Sequence, residues 1–224
     1  MRGISTSKIL AVAALATMGC GSLASAAFIV EGHPTGKANA NFTFDTAPGT
    51  STTPSTAVGL QGTGSRFGGT GTAIDNYYFS YTPGTNADNT VFTLGTDLGN
   101  SNASTGLVGG VSGTYNVYFT TPLTASVTSD STFTITSDDA NVVQVVNTGN
   151  TLAENAWLLL ATVDLTAGTT YTVTQTSGDS SFTSQRSHGV MWELVTEAPV
   201  PEPATAGLLL IGGAALALRR RRQA

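Results

Sequence analysis

From residue 27 to residue 198 no stretch sustains a helical period. Apolar residues recur instead at every second position in short runs, each stopped by Gly, Asn, Asp or Pro. Period two over four to eight residues is the pattern of a half-buried strand. Thr, Ser, Val and Tyr fill these runs, and they suit a pleated surface better than a helix. Asn41 to Asp45 alternates Phe42 and Phe44 with polar residues and reads as the first strand. Ala47 to Gly71, rich in Thr, Ser, Gly and Pro, reads as a long loop or as poorly marked edge strands. Asn76 to Thr82 sets Tyr77, Phe79 and Tyr81 on one face, and Thr90 to Thr96 follows. Thr114 to Thr121 aligns Tyr115, Val117 and Phe119, and Thr132 to Ser137 aligns Phe133 and Ile135. Asn141 to Asn147 carries paired valines around Gln144. Asn155 to Leu165 is the most apolar run and the best candidate for a strand buried on both faces, with a short helix as the alternative. Thr169 to Thr176 follows a turn at Ala167-Gly168, and His188 to Thr196 closes the series with Val190, Trp192 and Leu194 inward. Eight or nine short strands in about 172 residues predict an all-β, two-sheet sandwich of jelly-roll or similar Greek-key topology.

Both ends depart from this pattern. Residues 1–26 read as a secretory signal peptide. Arg2 and Lys8 precede an apolar stretch from Ile9 to Met18, and Ala24-Ser25-Ala26 supplies the small residues a signal peptidase reads, which predicts cleavage after Ala26. Cys20 would be a lipidation site only in a lipobox, and Thr17 stands where that motif wants a Leu-like residue. Cys20 is the only cysteine, so the exported domain, 27–198, has no disulfide and must rely on packing. That segment holds thirteen acidic and three basic side chains, Lys37, Arg66 and Arg186, for a net charge near −10 against −5 for the whole chain. Such a surface excludes nucleic acid as a partner, because phosphate backbones reward cationic patches.

At the other end, 199–224, Val200-Pro201-Glu202-Pro203 precedes an apolar run from Ala204 to Leu218 and then Arg219-Arg220-Arg221-Arg222. The prolines hold the tetrapeptide extended. The run predicts a transmembrane helix, with the arginines as a cytoplasmic stop. Its 15 residues span about 22 Å, short of a hydrocarbon core of about 30 Å. It is therefore a temporary handle or a marginal single-span anchor. In motif, order and spacing this tail resembles the PEP-CTERM sorting signal of Gram-negative bacteria. The resemblance covers about the last 25 residues. It implies that an exosortase recognises the chain and cuts it near Pro201-Glu202-Pro203. It also implies a membrane-tethered precursor, delivery to the cell surface or matrix, and association with exopolysaccharide and biofilm.

The domain also carries a weak internal echo, Gly113-Thr114-Tyr115-Asn116-Val117 against Gly168-Thr169-Thr170-Tyr171-Thr172-Val173. With Asp75-Asn76-Tyr77-Tyr78-Phe79, it loosely resembles the pre-peptidase C-terminal type of bacterial sandwich over about half the domain.

Little in the domain points to catalysis, and the chain is read as a non-enzyme. His33 falls in a polar N-terminal segment, and His188 at a strand start reads as solvated or capping. No Gly-x-Ser-x-Gly elbow is present. No cofactor is expected; calcium is the one metal worth weighing, from Asp130, Asp138 and Asp139 or from Asp75, Asp88, Asp97 and Asp179, all in turns. Trp157 and Trp192 lie in apolar runs and are expected in the core rather than on a sugar-stacking face. The expected function is structural or adhesive, at the envelope or in the extracellular matrix. The alternative is a secreted carbohydrate-binding or calcium-dependent binding module.

Overall fold

The computed structural model describes residues 25–57, 59–68, 76–92, 110–124, 130–146, 155–177 and 184–197. The strands are β1 (Ser25–Glu31), β2 (Phe42–Phe44), β3 (Gly49–Ser51), β4 (Ser65–Gly68), β5 (Asn76–Tyr81), β6 (Thr90–Phe92) and β7 (Gly113–Thr120). They continue with β8 (Ser131–Ile135), β9 (Val142–Val146), β10 (Leu158–Leu165), β11 (Tyr171–Ser177), β12 (Gln185–Ser187) and β13 (Gly189–Glu197). One turn of 3-10 helix, Asn39–Asn41, precedes β2. The strands form three antiparallel sheets, β10-β7-β13-β1-β6, β2-β5-β11-β8-β9 and β12-β4-β3.

The two larger sheets share one core. Phe28 on β1 stacks on Tyr81 of β5 at 4.9 Å between ring centres, and Tyr81 lies 5.5 Å from Trp192 of β13. Phe119 of β7 meets Phe133 of β8 at 4.4 Å. These are the inward residues that the alternation in β5, β7, β8, β11 and β13 marks, and Trp192 is buried as expected. In β5, β8 and β11 buried residues alternate strictly with half-buried ones, many of them threonines. The second sheet thus has one core face and one solvated face.

The first sheet is covered on both faces at β1 and the adjoining parts of β13 and β7, and several expectations change here. The first strand is β1, not the run at Asn41, and its residues Ala27 to Glu31 are all buried. Phe28-Ile29-Val30 is a continuous apolar run, as a two-sided strand requires. The segment from Thr52 to Gly64, expected as open loop, lies over the outer face of β1, β13 and β7, where Ala57 and Leu60 pack with Ala27, Ile29, Tyr118 and Met191. Its flanks do form short strands, β3 and β4.

The strand expected to be buried on both faces, β10, is an edge strand. Its register against β7 shifts between Leu159 and Ala161. That bulge puts Leu160 and Ala161 both inward and leaves Leu159 half exposed. Four apolar residues in a row therefore mark a bulge here, not two-sided burial. Trp157, just before it, is only partly buried, at the rim of the smaller apolar cluster. The described residues hold thirteen strands rather than eight or nine, the surplus being β1, whose two covered faces hide the alternation, and β3, β4 and β12, pieces of three or four residues below the reach of periodicity.

Candidate functional site

His188 is fully buried between β12 and β13, not solvated. Apolar burial forces its ring to find partners within the protein. Nδ1 accepts the backbone N–H of Ser55 at 3.0 Å, so the ring proton of the neutral imidazole sits on Nε2. Nε2 faces Oε2 of Glu31 at 3.6 Å. Glu31, the last residue of β1, is equally buried. Its Oε1 accepts the N–H of Gln61 and its Oε2 that of Gly62, both at 2.6 Å. A side chain at position 62 would come within 2.8 Å of Oε2 and of Cβ of His33, so glycine is required for the approach. The chain then wraps the same carboxylate from the other side, since the backbone N–H of Glu31 bonds to the carbonyl of Lys37.

Three basic groups ring this centre. Lys37 is buried and donates to Thr90 Oγ1 at 2.7 Å, and desolvation lowers its pKa against an opposing pull from Glu31. Arg66 donates Nε–H to the carbonyl of Gly32 at 2.7 Å. His33 accepts the Thr35 N–H at Nδ1 in a tight turn, and burial, Arg66 and His188 all lower its pKa. The Glu31 carboxylate and Nδ1 of His188 are thus committed to backbone donors, while Nε2 of His188 has only the carboxylate at 3.6 Å before it. The arrangement fastens the segment 55–62 onto β1 and β13. It offers no exposed nucleophile, because His188 spends Nδ1 on a backbone amide and Ser55 Oγ pairs with Thr120 Oγ1 at 3.0 Å.

An open cleft of about 310 Å³ lies elsewhere, where the turn after β8 meets β7 and β10. Thr114, Ser137, Asp139, Thr162 and Asp164 supply its polar lining. Thr114 Oγ1 donates to Asp164 Oδ1 at 2.6 Å, and Thr162 Oγ1 donates to Asn116 Oδ1 at 2.7 Å. Asp138 turns away: its carboxylate accepts the Tyr171 hydroxyl and, at 2.9 Å, the Thr166 hydroxyl. The described aspartates weighed as calcium ligands, Asp88, Asp130, Asp138 and Asp139, do not converge. Among the described residues no group of three or more acidic, histidine or cysteine side chains is placed to hold a metal. Asp75, Asp97 and Asp179 lie outside the described residues.

Among the described residues, Asp88 is the acid whose state depends most on the fold. It is buried beside Tyr81, whose hydroxyl donates to it at 3.5 Å. Desolvation pushes its pKa from the usual 3.8 to about 6, with the Tyr81 bond opposing. Between about pH 4 and 6 the folded protein therefore holds a proton that the unfolded chain has lost. Its contribution to stability falls as pH rises through that window. Asp88→Asn is expected to raise the melting temperature at pH 7, by the equivalent of ~1–2 kcal/mol after solvent screening, and to leave it nearly unchanged at pH 4. Thermal melts at the two pH values check this, and an equal shift at both would contradict it.

Of the sequence-marked processing residues, Ser25 and Ala26 begin β1 and pair with Phe92 and Val91 of β6. Ala24 lies outside the described residues, as do Val200, Pro201, Glu202, Pro203 and Arg219, Arg220, Arg221 and Arg222. The pairing of β1 with β13 starts at Ala27, so cleavage after Ala26 would leave it whole. Among the described residues no helix is long and apolar enough to cross a membrane. The Glu31 and His188 centre was not legible in the sequence; the one signal is an acid, Glu31, directly after the apolar run Phe28-Ile29-Val30.

No curated protein matches the chain. Among solved structures it is similar to a Paenibacillus xanthan lyase, with a TM-score of 0.54 and 18% identity. The similarity covers 77% of this chain but only 13% of the lyase, and at that identity it speaks to the fold alone. The family model of the PEP-CTERM protein-sorting motif matches residues 199–223. The chain thus carries a PEP-CTERM protein-sorting motif, the mark of a protein that an exosortase sorts for export.

Proposed function

We propose that this protein is an exported structural or adhesive component of the cell envelope or extracellular matrix, associated with exopolysaccharide or biofilm. The sorting motif at 199–223 carries the reading. In this reading a signal peptidase removes residues 1–26, the helix from Ala204 to Leu218 tethers the precursor in the inner membrane, and the exosortase releases it to the surface. The domain between is a jelly-roll sandwich. The orders β1-β13-β7-β10 and β5-β11-β8-β9 support that topology, since they follow the two four-stranded sheets of a double Greek key, with β6 and β2 added at the edges. A non-catalytic role fits the buried His188, whose Nδ1 is taken by a backbone amide.

A second reading, a saccharide-binding module, rests on the cleft at β7 and β10. Hydroxyls of Thr114, Ser137 and Thr162 beside the carboxylates of Asp139 and Asp164 suit the hydroxyls of a sugar. The similar structure belongs to a xanthan lyase, which agrees with a polysaccharide context but shares only the fold. Co-sedimentation with the host's exopolysaccharide and a glycan array separate the two readings. A structural component is retained in the matrix and binds no defined sugar. Defined binding that Asp164→Ala abolishes would favour the module.

A further inference from the structure

We infer that the outer edge of β9 is a self-association surface, at which two copies of this chain join their second sheets across a two-fold axis through Gln144. The inference goes beyond the sorting reading and stands without it. Open strand edges invite pairing, and proteins blunt them with short strands, charges, prolines or bulges. Nearly every other edge strand here is blunted. The edge strands β2, β6, β3 and β12 are three residues each as described. The remaining one, β10, carries the bulge and an exposed acid, Asp164. β9 has none of these devices. It runs five residues, Val142-Val143-Gln144-Val145-Val146, with no charge, proline or bulge. Among the described residues only β8 pairs with it. Val143 and Val145 are 60% and 65% exposed.

The sequence of this edge says what covers it. It reads the same in both directions about Gln144. In an antiparallel pair centred there, Gln144 faces Gln144 of the other copy, and Val143 of one copy faces Val145 of the other. Val142 likewise faces Val146. The Val143–Val145 pairs fall on the exposed face, where cross-strand β-branched pairs add stability, and the half-buried Val142 and Val146 extend the core-facing side. The domain is strongly acidic, so copies repel one another in general, but this strand is neutral and sets no like charges opposite each other. A two-fold contact uses the same edge on both copies and so closes at a dimer. Five residues bury well under the roughly 1,200 Å² of a stable interface, so the dimer is weak and forms where the protein is concentrated.

The test uses the exported protein in sedimentation equilibrium at roughly 0.1–1 mM, where weak pairs are populated. The expected result is a monomer–dimer equilibrium with no larger species. Val145→Lys should weaken it about tenfold or more, since a lysine at an edge opposes pairing, while circular dichroism stays unchanged. Independently, Gln144→Cys should give a disulfide-linked dimer on mild oxidation, and Val143→Cys much less, because only position 144 lies on the axis. A protein that stays monomeric throughout, a dimer indifferent to Val145→Lys, or a Gln144→Cys chain that fails to cross-link overturns the inference.

Discussion

Glu31→Ala is expected to cost ~3–5 kcal/mol of stability, because removing one member of a buried charged set leaves its partners buried and unpaired. The N–H groups of Gln61 and Gly62 lose their acceptor, and Nε2 of His188 loses the carboxylate it faces. The loss spreads from there. The segment 55–62 is held to the first sheet by this centre and by Ala57 and Leu60, so freeing one end exposes the outer face of β1 and β13. Glu31→Gln should cost less, ~1–3 kcal/mol, since one oxygen still accepts while the amide meets an N–H donor head on. Urea or thermal unfolding of both variants measures this. A Glu31→Ala protein that melts with the unsubstituted one would show that packing alone holds the segment. The ordering also bears on His188: His188→Ala should be a stability variant, not a silent one, because Ser55 N–H loses its acceptor.

Glu202→Ala is expected to do the reverse, sparing the fold and abolishing processing. Glu202 stands between two prolines after the last strand, in the sorting motif at 199–223. A segment already extended costs an enzyme little entropy to bind, and the carboxylate is its one charged handle. The domain's melting curve should move by no more than about 0.5 kcal/mol. Unprocessed precursor should instead collect in the membrane fraction of the native host, tail attached. Neutral residues at Arg219 to Arg222 should give the same precursor by another route, through loss of the cytoplasmic stop. Release of the Glu202→Ala chain at the ordinary rate would make the tail a plain anchor.

The strands read most easily from the sequence are those with one wet face. β5, β8 and β11 alternate strictly, because a solvated outer face keeps every second residue polar. Reading fails where that condition fails. β1 was hidden because its two covered faces remove the alternation and because its start merges with the small residues of the expected cleavage site. β10 was misplaced because a bulge places two successive residues inward. Ala57 and Leu60 are too sparse in their Ser, Thr and Gly surroundings to announce a buried segment.

The sequence by itself determined the β class, the inward residues of the alternating strands and the sorting motif. All three depend on local order along the chain: period two, turn residues, and the sequence of tetrapeptide, apolar run and arginines. Only the tertiary structure decided that Glu31, Ser55, Gln61 and His188 form one buried centre, because up to 157 positions separate them and no local pattern links an acid at the end of one strand to a histidine before another. It also decided which strand edge is left open among the described residues. That depends on sheet order, and sheet order follows from which faces pack together rather than from any one strand's residues.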